Sequence, residues 1–269
     1  NTRIATLLHP GSSRLDLAEG IRLSVSEAFE IPASQSMELI GTGGTLAMND
    51  TLTLSGTLKL STPDNTLDNG ALALNGGTLA VADNTTITAD LTQQADSAVT
   101  VNSGKTLVYQ GESLDIGPHE LTLSGGGSFA NVGNLMLNDP SSVLKLDGIA
   151  KVEKVAVTSA LADGKLEVDE SAIIQTLSHS GSSRIDIASD RQLTVSESFA
   201  VSSGQSLELI GTGGTLAMND TLTLSGTLKF STPDNTLDNG TLALSGGTLN
   251  VEDDTTIASN LQHLDDSVV

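Results

Sequence analysis

The sequence contains no cysteine and no tryptophan, and it has a single tyrosine and four phenylalanines. Without cysteine the chain has no disulfide framework, no zinc finger and no thiol nucleophile. No run of about 18 apolar residues occurs, so nothing in the sequence predicts a membrane-spanning helix. Basic residues are also few: 12 Lys and Arg stand against 33 Asp and Glu, which gives a net charge of −21. Because such a chain repels phosphate backbones, we exclude nucleic acid as a partner.

The scarcity of aromatic residues limits how a core can be built. Aromatic residues make up 2% of the chain, whereas hydrophobic residues as a whole make up 38%. Leu, Val, Ile and Ala therefore have to fill the interior. Because these residues are regularly placed, the sequence predicts a folded chain rather than a disordered one.

The chain repeats itself with a period of about 170 residues. Residues 4–99 align without a gap with residues 174–269, and about 65 of the 96 aligned positions are identical. We therefore predict one β-solenoid repeat unit over residues 1–173. A partial second copy, continuous with the first, covers residues 174–269. We expect the sequence to be a piece of a longer tandem array, in which neighbouring repeat units contact one another.

A finer repeat lies inside the long one. Thr51–Leu54 and Thr57–Leu60 are two of many short segments in which Leu alternates with a polar residue, and this alternation is typical of half-buried strands. Turn residues such as Asn, Asp and Gly separate the segments. The connections of about two to five residues are too short for helical crossovers. The segments therefore form either a meander of small hairpins or a coil of stacked strands.

The spacing of the segments favours the coil. The triplet Gly-Thr-Leu that starts at Gly56 recurs 21 residues later at Gly77. Small hairpins would also leave many strand edges exposed. We predict an all-β fold, a parallel β-helix or β-solenoid with about 21 residues per rung that forms an elongated rod and has almost no helix. The segment Ser159–Ile174 is ambiguous, although Gly164 argues against a helix there.

Two segments carry a resemblance to a known group of proteins. Gly76-Gly77-Thr78-Leu79-Ala80-Val81 and its repeat at 246–251 are similar to the GGTLxV turns of bacterial autotransporter passenger domains and filamentous-haemagglutinin-type adhesins. The resemblance implies a right-handed parallel β-helix and export to the cell surface or the extracellular space. It also implies a structural or adhesive role at a host or matrix surface.

The acidic turns are the main candidates for a binding site. Carboxylate oxygens at turns are suitable ligands for Ca²⁺, although no EF-hand loop and no GGxGxDxUx repeat occurs. An alternative interpretation is that Asp and Asn form the turns and keep the chain soluble. The weak Ca²⁺ candidates are Asp50, Asp64, Asp68, Asp83, Asp220, Asp234, Asp238 and Asp253.

Catalytic motifs are scarce. His9 and His179 occupy the same repeat position, and no HxxxH or HExxH motif accompanies them. No GxSxG turn marks a serine nucleophile. Parallel β-helices also include polysaccharide-degrading enzymes, but Tyr109 is the only tyrosine that could stack on a sugar. We therefore expect a structural or adhesive protein rather than an enzyme. A Ca²⁺- or glycan-binding module and a polysaccharide-degrading β-helix enzyme are the alternatives.

Two expectations concern contacts of the repeat units. Ser-Ser-Arg ends at Arg14 in the first copy and at Arg184 in the second, and we expect each arginine to pair with a nearby carboxylate such as Asp16 or Asp186. The two ends of a solenoid expose unpaired strands. We therefore expect that copies of the chain can also assemble end to end.

Overall fold

A computed structural model of the chain describes residues 1–9, 11–157 and 165–269. These residues form 35 strands joined by turns and bends, and they contain no helix. Accordingly, none of the described segments is a helix of the length and apolarity needed to cross a membrane. The part of the ambiguous segment at 159–164 lies outside the described residues, whereas Lys165–Val168 and Ala172–His179 are strands.

The chain divides into two compact units, Asn1–Asp115 with His119–Asn134 and Ile116–Pro118 with Leu135–Val269. The strands of the first unit are β1 (Thr2–Ile4), β2 (Ser13–Asp16), β3 (Arg22–Val25), β4 (Phe29–Ile31), β5 (Ser36–Ile40), β6 (Thr45–Met48), β7 (Thr51–Leu54), β8 (Thr57–Leu60), β9 (Asn65–Asp68), β10 (Ala71–Asn75), β11 (Thr78–Val81), β12 (Thr85–Ile87), β13 (Asp90–Ala95), β14 (Ser97–Val101), β15 (Thr106–Tyr109), β16 (Leu114–Asp115), β17 (Glu120–Ser124) and β18 (Ser128–Asn131). The strands of the second unit are β19 (Leu135–Leu137), β20 (Val143–Asp147), β21 (Lys151–Val157), β22 (Lys165–Val168), β23 (Ala172–His179), β24 (Ser182–Ile187), β25 (Gln192–Val195), β26 (Phe199–Val201), β27 (Ser206–Leu209), β28 (Thr215–Met218), β29 (Thr221–Leu224), β30 (Thr227–Phe230), β31 (Asn235–Asp238), β32 (Thr241–Ser245), β33 (Thr248–Val251), β34 (Thr255–Ile257) and β35 (Asn260–Asp265).

Successive strands of the first unit, apart from β16, belong to three faces. The first face contains β1, β3, β6, β9, β12, β15 and β18, and each strand pairs in parallel with the next. The second face contains β2, β5, β8, β11, β14 and β17, and the third contains β4, β7, β10 and β13. Each strand thus lies beside the strand that follows it after one turn of the chain.

The second unit has the same arrangement. Its first face runs from β19 through β21, β23, β25, β28 and β31 to β34, and its second face from β20 through β22, β24, β27 and β30 to β33. Its third face contains β26, β29, β32 and β35. All of these pairs are parallel, which excludes the hairpin alternative because hairpins make antiparallel pairs.

The register of these pairs confirms the predicted β-solenoid. Thr57 pairs with Thr78, which is the same spacing as that between Gly56 and Gly77 in the sequence. Other offsets range from 19, between Ala71 and Asp90, to 24, between Ser13 and Met37. The chain therefore forms a β-solenoid of about 12 turns with roughly 21 residues per turn.

Columns of aliphatic side chains fill the interior of each unit. Leu46 pairs with Leu67, and Leu67 pairs with Ile87, and all three are fully buried. Stacking one turn on the next buries these side chains, and each fully buried Leu contributes about 1.5–3 kcal/mol. The four phenylalanines join the columns, and the ring of Tyr109 stacks on Phe129 at a centroid distance of 6.5 Å.

The long repeat is visible in the strands themselves. The bounds of β6 to β12 in the first copy recur at the equivalent positions of the second copy, in β28 to β34. The predicted boundary between residues 173 and 174 falls inside β23 and stays a prediction.

A buried asparagine at the start of β9 stabilises the turn that precedes this strand. The amide oxygen of Asn65 accepts a hydrogen bond from the Gly44 N–H at 3.2 Å. Its nitrogen donates to the carbonyl and the hydroxyl oxygen of Thr62, at 3.0 and 2.8 Å. Asn235 makes the same two bonds to Thr232 in the second copy. Satisfying a buried amide in this way avoids the cost of about 1–3 kcal/mol for an unpaired polar group.

Candidate functional site

Three candidate aspartates of the first copy, Asp50, Asp64 and Asp83, lie at turns, and Asp68 is the last residue of β9. One carboxylate oxygen of Asp50 accepts the Thr51 N–H at 2.8 Å, and Asp83 accepts the Asn84 N–H at 2.8 Å. Asp64 has a backbone φ of 61°, so it forms the left-handed position of its turn. These contacts are those expected of turn-forming aspartates.

Cations from other turns also contact Asp68 and Asp83. Asp68 accepts hydrogen bonds from Arg22 and from the Thr88 hydroxyl, the latter at 2.6 Å. Burial alone would raise the pKa of Asp68, but these hydrogen bonds outweigh it and lower the pKa. The hydrogen bond from Lys105, 2.7 Å from the Asp83 carboxylate, lowers the pKa of that group.

The candidate aspartates of the second copy have similar local contacts. Asp220 accepts the Thr221 hydroxyl at 3.3 Å, and Asp238 accepts the Asn239 side-chain amide at 3.2 Å. Asp253 accepts the Asp254 N–H at 2.9 Å, and Asp234 has a φ of 60°.

Calcium binding at these turns stays a prediction. Ca²⁺ takes six to eight oxygen ligands. Within residues 1–9, 11–157 and 165–269, no three His, Asp or Glu side chains form a group that could hold a metal ion. Any Ca²⁺ at a turn would therefore need backbone carbonyls and water for most of its ligands.

Outward side chains on the second face form a column of alternating charge in the first unit. Glu38 pairs in register with Arg14 on one side and with Lys59 on the other. Its carboxylate lies 2.7 Å from the Arg14 guanidinium, 3.1 Å from the Lys59 ammonium and 2.6 Å from the Ser61 hydroxyl. The hydrogen bonds from Ser61, Lys59 and Arg14 hold the pKa of Glu38 at about 2. We call Arg14, Glu38 and Lys59 the charge ladder.

The second copy contains the same ladder. The Glu208 carboxylate lies 3.2 Å from Arg184 and 3.1 Å from Lys229, and Lys229 also lies 3.1 Å from Glu252. The predicted partners Asp16 and Asp186 are therefore wrong: Arg14 pairs with Glu38, and Arg184 pairs with Glu208. The reason is geometric, because neighbouring strands are about 4.8 Å apart, whereas residues two apart along one strand are about 7 Å apart.

A further ion network occupies the second face of the second unit. Lys145 lies 3.2 Å from Glu167 and 2.6 Å from Asp169, while Lys165 lies 3.1 Å from Glu167 and 2.8 Å from Asp186. The hydrogen bond to Asp169 is the main cause that raises the pKa of Lys145. Asp186 thus pairs with a lysine of the preceding turn rather than with an arginine of its own strand.

The two repeated histidines make different contacts. His9 is buried, and its Nδ1 lies 2.9 Å from the Ser13 hydroxyl. At the repeat position, His179 contacts Gln205 at 3.3 Å and the carbonyl oxygen of Ser206 at 3.1 Å. Burial lowers the pKa of His179. Because the serine contact is not kept in both copies, it is not a repeated catalytic pair.

An open groove lies beside the only tyrosine. The groove has a volume of about 520 Å³ and is lined by Asp90, Leu91, Thr92, Tyr109, Glu112 and Ser113. The Tyr109 hydroxyl accepts the Leu91 N–H at 3.2 Å, and the ring is only 2% exposed. The ring therefore offers no face for stacking on a sugar, although the two carboxylates could accept hydrogen bonds from hydroxyl groups.

Comparison of the chain with protein-family models, with curated proteins and with solved structures gives no significant match. The resemblance carried by the GGTLxV turns is therefore confirmed only as far as the β-solenoid fold.

The spacing of charged residues in the sequence contains a signal for the charge ladder. Each central glutamate has an arginine about one turn before it in the sequence and a lysine about one turn after it. The same separations occur between paired strands of successive turns. Searching for opposite charges 19 to 24 residues apart would have placed both ladders among the candidate pairs.

Proposed function

We propose that this chain is a structural and adhesive repeat segment of a long exported bacterial surface or extracellular fibre protein, and that it is not an enzyme. The observation that carries the proposal is the repetition of the same strands, in the same order, in the second copy of the long repeat. A solenoid whose turns contact only their neighbours can be lengthened by adding units without redesign of the core. Repetition of this kind supplies length and surface, which a fibre requires.

The outward residues support the same proposal. On the second face, charged side chains such as Glu38 and Glu208 are engaged with neighbouring turns, so they stabilise the stacking of turns. A single exposed ion pair contributes about 0–1 kcal/mol to stability, but the column places such pairs between several successive turns. The high negative charge favours solubility outside the cell and repels nucleic acid.

An adhesion assay under flow tests the proposal. Beads coated with the purified chain are passed over mucin-coated and glass surfaces under flow, and the retained beads are counted. The control is a chain of the same composition in scrambled order, which keeps the charge of −21 but loses the columns. We expect several-fold more retention with the native order. Equal retention on every surface would remove the adhesive part of the proposal.

The groove at Tyr109 favours a second candidate function, binding or cleavage of a polysaccharide. Asp90 and Glu112 are the two carboxylates that line it, and glycosidases use a pair of carboxylates. A screen of acidic and neutral polysaccharides for released reducing ends tests this alternative. Turnover that is lost in both Asp90→Asn and Glu112→Gln, but kept in Asp50→Asn, would replace the structural proposal with the enzymatic one.

A further inference from the structure

Three asparagines of the chain are followed directly by glycine. The pairs are Asn69-Gly70, Asn75-Gly76 and Asn239-Gly240. Because glycine has no side chain, its backbone nitrogen can approach the side-chain amide of the preceding asparagine closely. Asparagine is also one of the thermolabile residues. The three pairs have the same two residues, so any difference in their reactivity in the folded chain comes from their contacts.

The first pair forms an exposed corner between β9 and β10. Asn69 and Gly70 both have a left-handed φ of 55°. The peptide group that joins them makes no hydrogen bond to any residue that the structure describes. The side-chain amide of Asn69 has no such bond either, since only the backbone N–H of this residue is bonded, to Asp68 at 2.9 Å. Neither the glycine nitrogen nor the amide would have to break a hydrogen bond to the chain before they react.

The second pair is held on both sides. Asn75 is half-buried at the end of β10, and its side-chain nitrogen donates to the Ser55 hydroxyl at 3.1 Å. The Gly76 N–H donates to the Ser97 hydroxyl at 3.0 Å. Both reacting groups would therefore have to give up a hydrogen bond.

The third pair combines features of the other two. Asn239 and Gly240 have φ values of 58° and 52°, so their corner has the same left-handed backbone as the first pair. The side-chain nitrogen of Asn239, however, donates to the Asp238 carboxylate at 3.2 Å. One of the two reacting groups is thus held by a hydrogen bond.

The neighbouring turns explain why only the second copy has this bond. In the first copy the equivalent carboxylate, Asp68, accepts hydrogen bonds from Arg22 and from the Thr88 hydroxyl. The second copy has Gln192 and Ala258 at the positions of those two donors. The carboxylate of the second copy is therefore available to the asparagine that follows it.

We propose that Asn69 is a site of spontaneous deamidation in the folded chain, and that it reacts faster than Asn239, which in turn reacts faster than Asn75. The Gly70 nitrogen forms a bond to the side-chain carbonyl carbon of Asn69 and loses its proton. The bond from that carbon to the side-chain nitrogen breaks, and ammonia leaves with the proton. One water molecule then opens the cyclic imide at either carbonyl, which gives aspartate or isoaspartate.

The isoaspartate product changes a tightly packed corner. A Cβ at Gly70 would meet the carbonyl oxygens of Asp50 and Met48 at 2.2 Å, so little space is left beside this residue. Isoaspartate adds one carbon to the main chain and one negative charge. We expect it to weaken the bonds from the Ala71 N–H to Asp50 and from the Asp90 N–H to Gly70, at 3.2 and 3.0 Å. This inference goes beyond the proposed function, because the reaction needs only the folded chain and water.

The test follows the three pairs during incubation of the purified chain at neutral pH. Tandem mass spectrometry of digested samples locates each exchange of an amide for an acid, and chromatography separates isoaspartate from aspartate. We expect Asn69 to react first and Asn239 about two- to tenfold more slowly, because its hydrogen bond has to break. Asn75 should be slower still. In guanidinium chloride, where the contacts are lost, the three should react at similar rates.

A matched variant tests the cause of the order. Arg22→Gln with Thr88→Ala gives Asp68 the surroundings of Asp238, and the second copy shows that both residues are compatible with the fold. This variant should slow Asn69 to the rate of Asn239 and leave Asn75 unchanged, and circular dichroism checks that it keeps its strands. Equal rates at the three pairs in the folded chain would overturn the proposal. So would the same order in guanidinium chloride, or a rate at Asn69 that the variant does not change.

Discussion

The two copies of the repeat contain the same strands but make different contacts at their surfaces. In the first copy, Arg22 reaches across two turns to Asp68. In the second copy, Gln192 occupies the position of Arg22, while Arg191, one residue earlier, lies 3.2 Å from Glu170. The inward columns are nearly unchanged between the copies. Inward residues therefore determine the solenoid fold, whereas outward ion pairs can be exchanged without changing that fold.

The copies also differ in what covers them. The same leucine is 4% exposed as Leu91 and 60% exposed as Leu261. Its own strand is similar in both places, with β13 and β35 having equivalent bounds. The contribution of a residue to stability therefore depends on the next turn as well as on its own sequence.

The largest expected effect exploits this difference. Leu91→Ala should lower the free energy of unfolding by about 2–4 kcal/mol, because it removes buried methyl groups and leaves a cavity. Leu261→Ala should lower it by less than about 0.5 kcal/mol, because that side chain is mostly in water. Urea unfolding followed by circular dichroism measures the free energy of unfolding of both variants. Equal losses in the two variants would show that the last turn is covered in solution.

Much of the fold could be predicted because the pattern is local and repeated. The alternation in Thr51–Leu54 indicates which side chains point inward, and Leu52 and Leu54 are indeed fully buried. The spacing from Gly56 to Gly77 gives the length of a turn. The division of the chain into two compact units near Asn134 was not predicted, because nothing in the local alternation marks it.

The contacts at the candidate site were harder to predict. Arg14 was expected to pair with a carboxylate close in sequence, and its partner is Glu38, on the neighbouring turn. The average length of a turn does not identify that partner, because the offsets between paired residues vary from 19 to 24. Turn length depends on the corner loops, whose conformations the strand pattern does not encode. The role of the aspartates as turn formers was predictable from residue type.

A smaller effect is expected on the pH dependence of stability. The charge ladder holds the pKa of Glu38 at about 2, whereas an unfolded glutamate titrates near about 4.3. A lowered pKa in the folded state stabilises the protein fully above about pH 4.5, and this contribution is lost as the pH falls toward about 2. Glu38→Gln should therefore reduce the loss of stability between neutral pH and about pH 3. Urea midpoints at the two pH values measure this.

The second copy sharpens the acid prediction. Burial opposes ionisation of Glu208, but hydrogen bonds from Ser231 and Lys229 lower its pKa. Glu208→Gln should thus change the pH dependence in the same direction as Glu38→Gln. Removal of one hydroxyl, in Ser61→Ala or Ser231→Ala, should raise the pKa of the neighbouring glutamate, which carboxyl NMR signals report. A Glu38 carboxyl that titrates at its ordinary value in the folded chain would contradict the ladder.

The smallest effect comes from two turns at which the copies exchange glycine for another residue. Ser34 has a φ of 62° and its equivalent Gly204 a φ of 78°, while Gly20 has 69° and its equivalent Asp190 has 59°. Left-handed backbone costs a residue with a Cβ about 1–2 kcal/mol, and glycine loses about 0.5–1 kcal/mol more entropy on folding. A Cβ at Gly20 or at Gly204 would meet nothing within 4 Å, so no steric clash adds to these backbone free energies.

Ser34→Gly and Asp190→Gly should therefore each stabilise the chain by about 0.5 kcal/mol. Gly204→Ser and Gly20→Asp should destabilise it by a similar amount. Thermal unfolding of the four variants tests the expectation as two mirrored pairs, one pair for each turn. If Ser34→Gly destabilises the chain, the hydrogen bond from the Ser34 hydroxyl to the Ala33 carbonyl, at 2.6 Å, contributes more than the strain that glycine removes. Asp190→Gly, whose turn contains a different side chain, would then still have to stabilise the chain for backbone strain to explain the glycines of the repeat.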